Sequence, residues 1–177
     1  MSVHHSSRVY LRLWRIDVVR RTGIDATLSS AAIARAVAAA LEAGRAPRPA
    51  SVTVVLTDDE ELADLNLEHM GVHGPTDVLS FPMLPPEAFD EGRASTGPER
   101  SRGRRVHVGD IAVSVERAVE QAEAGRGGQT GDVRWSAADE LRLLVTHGAL
   151  HLCGWDHADP EDEAAMRALE RRLLDGV

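Results

Sequence analysis

The sequence predicts an α+β fold, a small mixed β-sheet packed with helices, in one domain spanning residues 1–177. Three observations lead there. Short β-branched runs interleave irregularly with longer stretches of helical periodicity. No segment repeats. No composition shift marks a second domain, and 177 residues suit a single core.

The elements follow in order. Val9 to Val19 alternates loosely between apolar and polar residues and is expected to form the first strand, with His4 and His5 a loose terminus before it. Ser29 or Ser30 suits the N-cap of the alanine-rich helix that follows, and Gly44 stands where a C-terminal cap belongs. The prolines of AGRAPRPA then stop the helix. Ser51 to Leu56, SVTVVL, reads as a buried strand. Thr57 and Glu60 make a capping-box pair for a short helix carrying Leu62 and Leu65. GVHGPT is a turn, and Val78 to Phe81 is a short strand. Pro82 to Arg105 reads as a long loop whose later half holds Arg93, Arg100, Arg102, Arg104 and Arg105. Val106 to Val115 is the next strand, bent at Gly109, with a helix through Glu116 to Ala124 behind it. GRGGQTG is a break. Ser136 caps a leucine-rich helix. Asp159 and Pro160 open the last one, where Met166, Leu169 and Leu173 share a face.

Composition narrows the function. The formal net charge is -8, which is no footprint of a general nucleic-acid binder. Every basic side chain apart from histidine is arginine, so a P-loop lysine and lysine Schiff-base chemistry are both excluded. Cys153 is the only cysteine and can form no internal disulfide. No apolar run approaches a membrane span, and the first residues lack a signal-peptide core, so a cytoplasmic location is expected.

The chemistry concentrates in HGALHLCGWDH. His147 and His151 are four residues apart in a helical pattern, hence on one face. Two imidazoles so placed can share a metal ion at about 2.0–2.1 Å from each nitrogen. A third ligand requires the chain to turn. Gly154 can adopt the left-handed conformation that turns it, and His157 then swings back toward the pair. The spacing matches the ligand framework of the metzincin proteases, so a zincin-like metal-binding helix is expected. The glutamate that serves those proteases as general base is replaced here by Gly148. Three neutral histidines leave a tetrahedral zinc one open position, the mark of a catalytic rather than a structural site. Asp156, Asp159 and Asp110 are candidates to orient the ligands from behind. Cys153 lies roughly 240° around the helix from His147 and is expected to be a small buried hydrophobe. His69, His73 and His107 read as surface or strand-end residues, with His107 close to Asp110.

HGALHLCGWDH closely resembles the H-G-x-L-H-L-x-G-x-D-H pattern of the YbeY family, bacterial endoribonucleases of rRNA maturation. GPTDVLSFP, from Gly74 to Pro82, and VGDIAVSVERA, from Val108 to Ala118, are similar to two further segments of that family, in the same order. The resemblance covers roughly two thirds of the chain. It implies a compact α+β domain and one zinc ion held by His147, His151 and His157. It also implies cleavage of single-stranded RNA, with a role at the 3′ end of 16S rRNA and in ribosome quality control, and partnership with the ribosome or its proteins. Two features depart from the family pattern. Met70 occupies a place where members often carry arginine, and the Pro82–Arg105 loop is long; its arginines offer a substitute phosphate patch. Two other readings stand beside the nuclease. One is a metalloprotease, from ligand spacing alone. The other is a non-catalytic ribosome-associated factor with a structural metal.

Overall fold

The computed structural model describes residues 5–89, 105–125, 135–157 and 159–176. It is an α+β arrangement built on one five-stranded mixed sheet. The strands are β1 (His5–Leu11), β2 (Trp14–Arg20), β3 (Ala50–Thr57), β4 (Val78–Pro82) and β5 (Val106–Ser114). Their spatial order is β1-β2-β3-β5-β4. The two edge strands pair antiparallel, β1 with β2 and β4 with β5, while β2, β3 and β5 run parallel. The helices are α1 (Ser30–Ala43), α2 (Asp59–Met70), α3 (Val115–Glu123), α4 (Ala137–Leu152) and α5 (Pro160–Asp175). Among the described residues, no helix is long and apolar enough to cross a membrane.

The expected first strand is in fact a hairpin. Leu11 pairs with Trp14 across a two-residue turn in which Arg12 takes a φ of 53°. No glycine or asparagine announces this turn, which is why the run reads as continuous. The trace it leaves is a change of phase: Val9 and Leu11 pack inward at odd positions, Trp14, Ile16 and Val18 at even ones. His5, expected in a loose terminus, opens β1 opposite Arg20; His4 lies outside the described residues.

The helix caps follow the sequence with one shift. Ser29 accepts from the Ala32 N–H, and Gly44 closes α1. The expected Thr57–Glu60 box is displaced by one residue, to Asp58, whose carboxylate accepts from the Glu61 N–H at 2.9 Å. Thr57 is still in β3, and its hydroxyl donates instead to the Glu61 carboxylate. That carboxylate also receives the Arg21 guanidinium. Ser136 and Asp139 form the capping box of α4.

The larger core lies on one face of the sheet. Val52, Val54, Ile111 and Val113 meet Ile33, Val37 and Leu41 of α1 and Leu141, Val145 and Ala149 of α4. Met166 and Leu169 attach α5 to the same cluster. The opposite face carries α2 in a smaller cluster of Leu62, Leu79 and Ala112. β5 bends as expected at Gly109: the register with β3 slips after the Ser51–His107 pair, so that Val52 faces Gly109.

Because α4 carries the first two histidines, its N-terminal anchoring can be tested apart from the site. Ser136→Ala removes one half of the capping box and is expected to lower unfolding free energy by about 1 kcal/mol. Urea denaturation checks this, and metal content should stay at the wild-type level.

Candidate metal centre

α4 brings His147 and His151 one turn apart, with their Nε2 atoms 2.9 Å from each other. The helix ends at Cys153, and Gly154 turns the chain at a φ of 83°. Two hydrogen bonds fix the turn, Gly154 N–H to the His151 carbonyl at 3.0 Å and Trp155 N–H to the Leu150 carbonyl at 3.2 Å. Asp156 then accepts from the His157 N–H at 2.7 Å, which brings the third imidazole round. The His157 ring lies 5.7 Å from that of His147 and 5.1 Å from that of His151. One ligand atom from each histidine fits within 4.8 Å of the other two. Nitrogens sharing a tetrahedral ion at 2.0–2.1 Å stand about 3.3 Å apart. The spacing here brackets that value, so this donor set can hold a metal ion.

The support behind the ligands comes from a residue the sequence reading did not single out. Glu170 of α5 is only 7% exposed, and its Oε1 lies 2.6 Å from His147 Nδ1. With Glu170 as acceptor, Nδ1–H donates to it and the Nε2 lone pair is left facing His151. Of the three expected supports, Asp156 reaches the ligands through the His157 backbone, and the other two do other work. Asp156 holds the His157 backbone, Asp159 caps α5, and Asp110 bonds His107 at 2.9 Å. His107 in turn contacts the buried Ser51, away from the three histidines. His151 is held below the ordinary imidazole pKa, first by burial and then by the neighbouring His147 and His157. At neutral pH it therefore offers a free lone pair.

Gly148 has a structural reason to lack a side chain. A Cβ there would sit 2.8 Å from Ile111 Cγ2 and 3.1 Å from both Ser80 Oγ and Val78 Cγ2. The Ser80 hydroxyl donates to the Gly148 carbonyl at 3.0 Å. The position that bears the base in the protease pattern is packed shut against β4 and β5. Cys153 is buried as expected, close against Gly44, and burial pushes its thiol pKa up to about 12. It remains a neutral filler.

The histidines open onto a groove of about 690 Å³ between the β4 edge and the turn after α4. Thr76 to Ser80 form one wall, and Gly154, Trp155 and Asp156 the other. Asp77 secures the β4 wall by accepting from Val78 N–H at 2.9 Å and from Gln121 Nε2 at 3.0 Å. Met70 lines the same groove, 52% exposed, so this wall presents a thioether rather than a guanidinium. Of the five arginines singled out in the long loop, Arg93, Arg100, Arg102 and Arg104 lie outside the described residues. Arg105 stacks on Tyr10, 5.4 Å from its ring centre.

Glu170→Ala leaves His147 without its acceptor and is expected to weaken metal affinity about 10- to 100-fold. Competition with a chromogenic chelator measures this, and an unchanged affinity would show that Glu170 contributes packing alone. Gly148→Ala is expected to lower unfolding free energy by about 1–3 kcal/mol in urea denaturation, as overpacking does. A loss too small to measure would mean that α4 can back away from the sheet freely.

The Endoribonuclease YbeY family model matches residues 17–177. An Endoribonuclease YbeY of Symbiobacterium thermophilum is 43% identical over 127 residues, covering 72% of this chain and 71% of its own. Those of Salinispora tropica and Thermobifida fusca are 40% and 39% identical, covering 90% and 91% of this chain and 93% and 92% of their own. The solution structure of TM1509 from Thermotoga maritima shares the fold, with a TM-score of 0.50 at 21% identity over 92% of this chain and 87% of that one. A family match over nearly the whole chain, joined to the histidine cluster at its expected place, identifies the protein as a member of the YbeY endoribonuclease family.

Proposed function

We propose that this protein is a zinc-dependent endoribonuclease acting on single-stranded RNA, in the maturation of the 3′ end of 16S rRNA and in late ribosome quality control. The observation that carries the reading is the three-imidazole cluster in an open groove, in a chain whose relatives are named endoribonucleases. His147, His151 and His157 would hold one zinc per chain. When bound, the metal supplies a Lewis acid that offsets negative charge growing on a phosphate. The rest falls to the protein. Glu170 fixes the ring of His147, and the Gly154 turn sets the angle of His157. The β4 wall and Trp155 confine the strand on either side.

Position 148, where the protease pattern carries its base, has no room for one, and the base is left unassigned. The attacking oxygen then comes from water or from the RNA's own 2′-hydroxyl. Product ends separate the two, a 5′-phosphate for water and a 2′,3′-cyclic phosphate for the 2′-hydroxyl. The net charge of -8 makes the groove a poor collector of RNA by long-range attraction. Delivery by the ribosome or its proteins, in the cytoplasm, suits such a surface.

Zinc analysis and RNA cleavage with His147→Ala test the reading. Wild-type protein should carry one zinc and cut single-stranded RNA, not casein, in a chelator-sensitive way. The variant should lose the metal and at least 100-fold in rate, while its far-UV circular dichroism stays native. Chelator-sensitive proteolysis without RNA cleavage would reverse the assignment toward a peptidase. Unfolding of His151→Ala would point to a structural metal.

A further inference from the structure

A second cavity, of about 720 Å³, lies across the turn from the histidine groove. Gly154, Trp155 and Asp156 line both spaces, so Trp155 is the ridge between them. The cavity floor is apolar and buried, made by Phe89, Cys153 and Leu169. Pro86 closes one side, and Ala165 and Ala168 of α5 form the opposite wall. At the rim stand two exposed arginines, Arg45 beyond the end of α1 and Arg172 near the end of α5. Asp156 and Asp162 at the same rim balance them, so this is no general anion trap.

Its size falls within the range of small-ligand sites, about 300–1,000 Å³. Its chemistry suits one class of ligand, a flat apolar ring joined to a phosphate. A nucleobase can stack on an indole whatever its identity, and a guanidinium can pair with the phosphate that follows. A strand lying in the histidine groove must cross the Gly154–Asp156 turn to leave it on this side, and the cavity is what it meets.

We propose that this cavity is the subsite for the nucleotide next to the scissile phosphate, with its base against Trp155 and its outer phosphate toward Arg45 and Arg172. The proposal rests on the RNA reading above and adds the residue that positions the strand. Trp155 is a positioning residue, so its contribution falls on substrate binding. A strand bound on both sides of the turn is bent over the metal site, which presents one phosphodiester to the three histidines.

The test uses zinc-loaded protein and a five-nucleotide RNA with one cleavage position. Trp155→Ala should raise KM roughly tenfold, the scale of one lost base stack, with kcat changed far less, and Trp155→Phe should restore most of the loss. Ala168→Glu crowds the cavity from the exposed face of α5, remote from the turn, and should raise KM in the same way. An abasic nucleotide is then placed on each side of the cleaved bond in turn. At one of the two positions it should raise the wild-type KM roughly tenfold and leave that of Trp155→Ala unchanged. Unaltered KM in both the Trp155→Ala and Ala168→Glu variants, with zinc retained, would overturn the subsite while the RNA reading stands. So would abasic substrates that weaken wild type and Trp155→Ala equally. Failure of the wild-type protein to cut the RNA overturns the functional reading, and the subsite falls with it.

Discussion

The close approach of α4 to the sheet at Gly148 sets the geometry of everything near the metal centre. A helix packs on a sheet at a distance fixed by the side chains between them. At Gly148 nothing stands between, and the backbone of α4 comes within reach of the Ser80 hydroxyl. Just beyond it, the helix must still bury apolar surface, and Ala149 and Leu150 do so completely. His147 is thereby carried to the rim of β4, where the groove opens. A bulkier residue at 148 would lift the helix, tilt both imidazoles and widen the groove together. The missing glutamate of the protease pattern is therefore more than an absent base, because the space it would occupy is used to dock the helix.

The centre is built from short-range electrostatics in a chain whose overall charge is unhelpful. Nothing in a net charge of -8 draws in RNA. Inside the site, burial keeps His151 neutral, and the Glu170 carboxylate sets the tautomer of His147. Beyond His147, a smaller cavity of about 310 Å³ is lined by Asp77, Glu140, Glu170 and the Glu163–Arg167 ion pair. The ligands thus stand between a carboxylate-rich cavity, whose Glu170 holds His147, and an open groove.

Much of the site was legible in the sequence because its parts are local. An i, i+4 histidine pair, a glycine turn and a third histidine all fall within eleven residues, and helix geometry with that turn brings them together. Glu170 was not legible in the same way, since it lies 23 residues from its partner on another helix. A trace was present all the same: Glu170 follows Met166 by four residues and precedes Leu173 by three, so it interrupts the buried stripe of α5. An acid in such a stripe needs a partner. The hairpin at Arg12 left a comparable trace in the phase of its apolar residues. The strand order left none. Pairing between β3 and β5 joins segments some fifty residues apart and is decided by which faces can be buried together.

The tie between Glu170 and His147 also joins two equilibria that would otherwise be separate. The attachment of α5 to the core and the capture of an ion at the histidines share one hydrogen bond, and thermodynamic linkage makes their coupling reciprocal. Whatever seats the last helix more firmly tightens the metal centre, and an ion at the centre holds the helix down by the same free energy. A partner that gripped the exposed face of α5 could therefore adjust the nuclease without touching its groove.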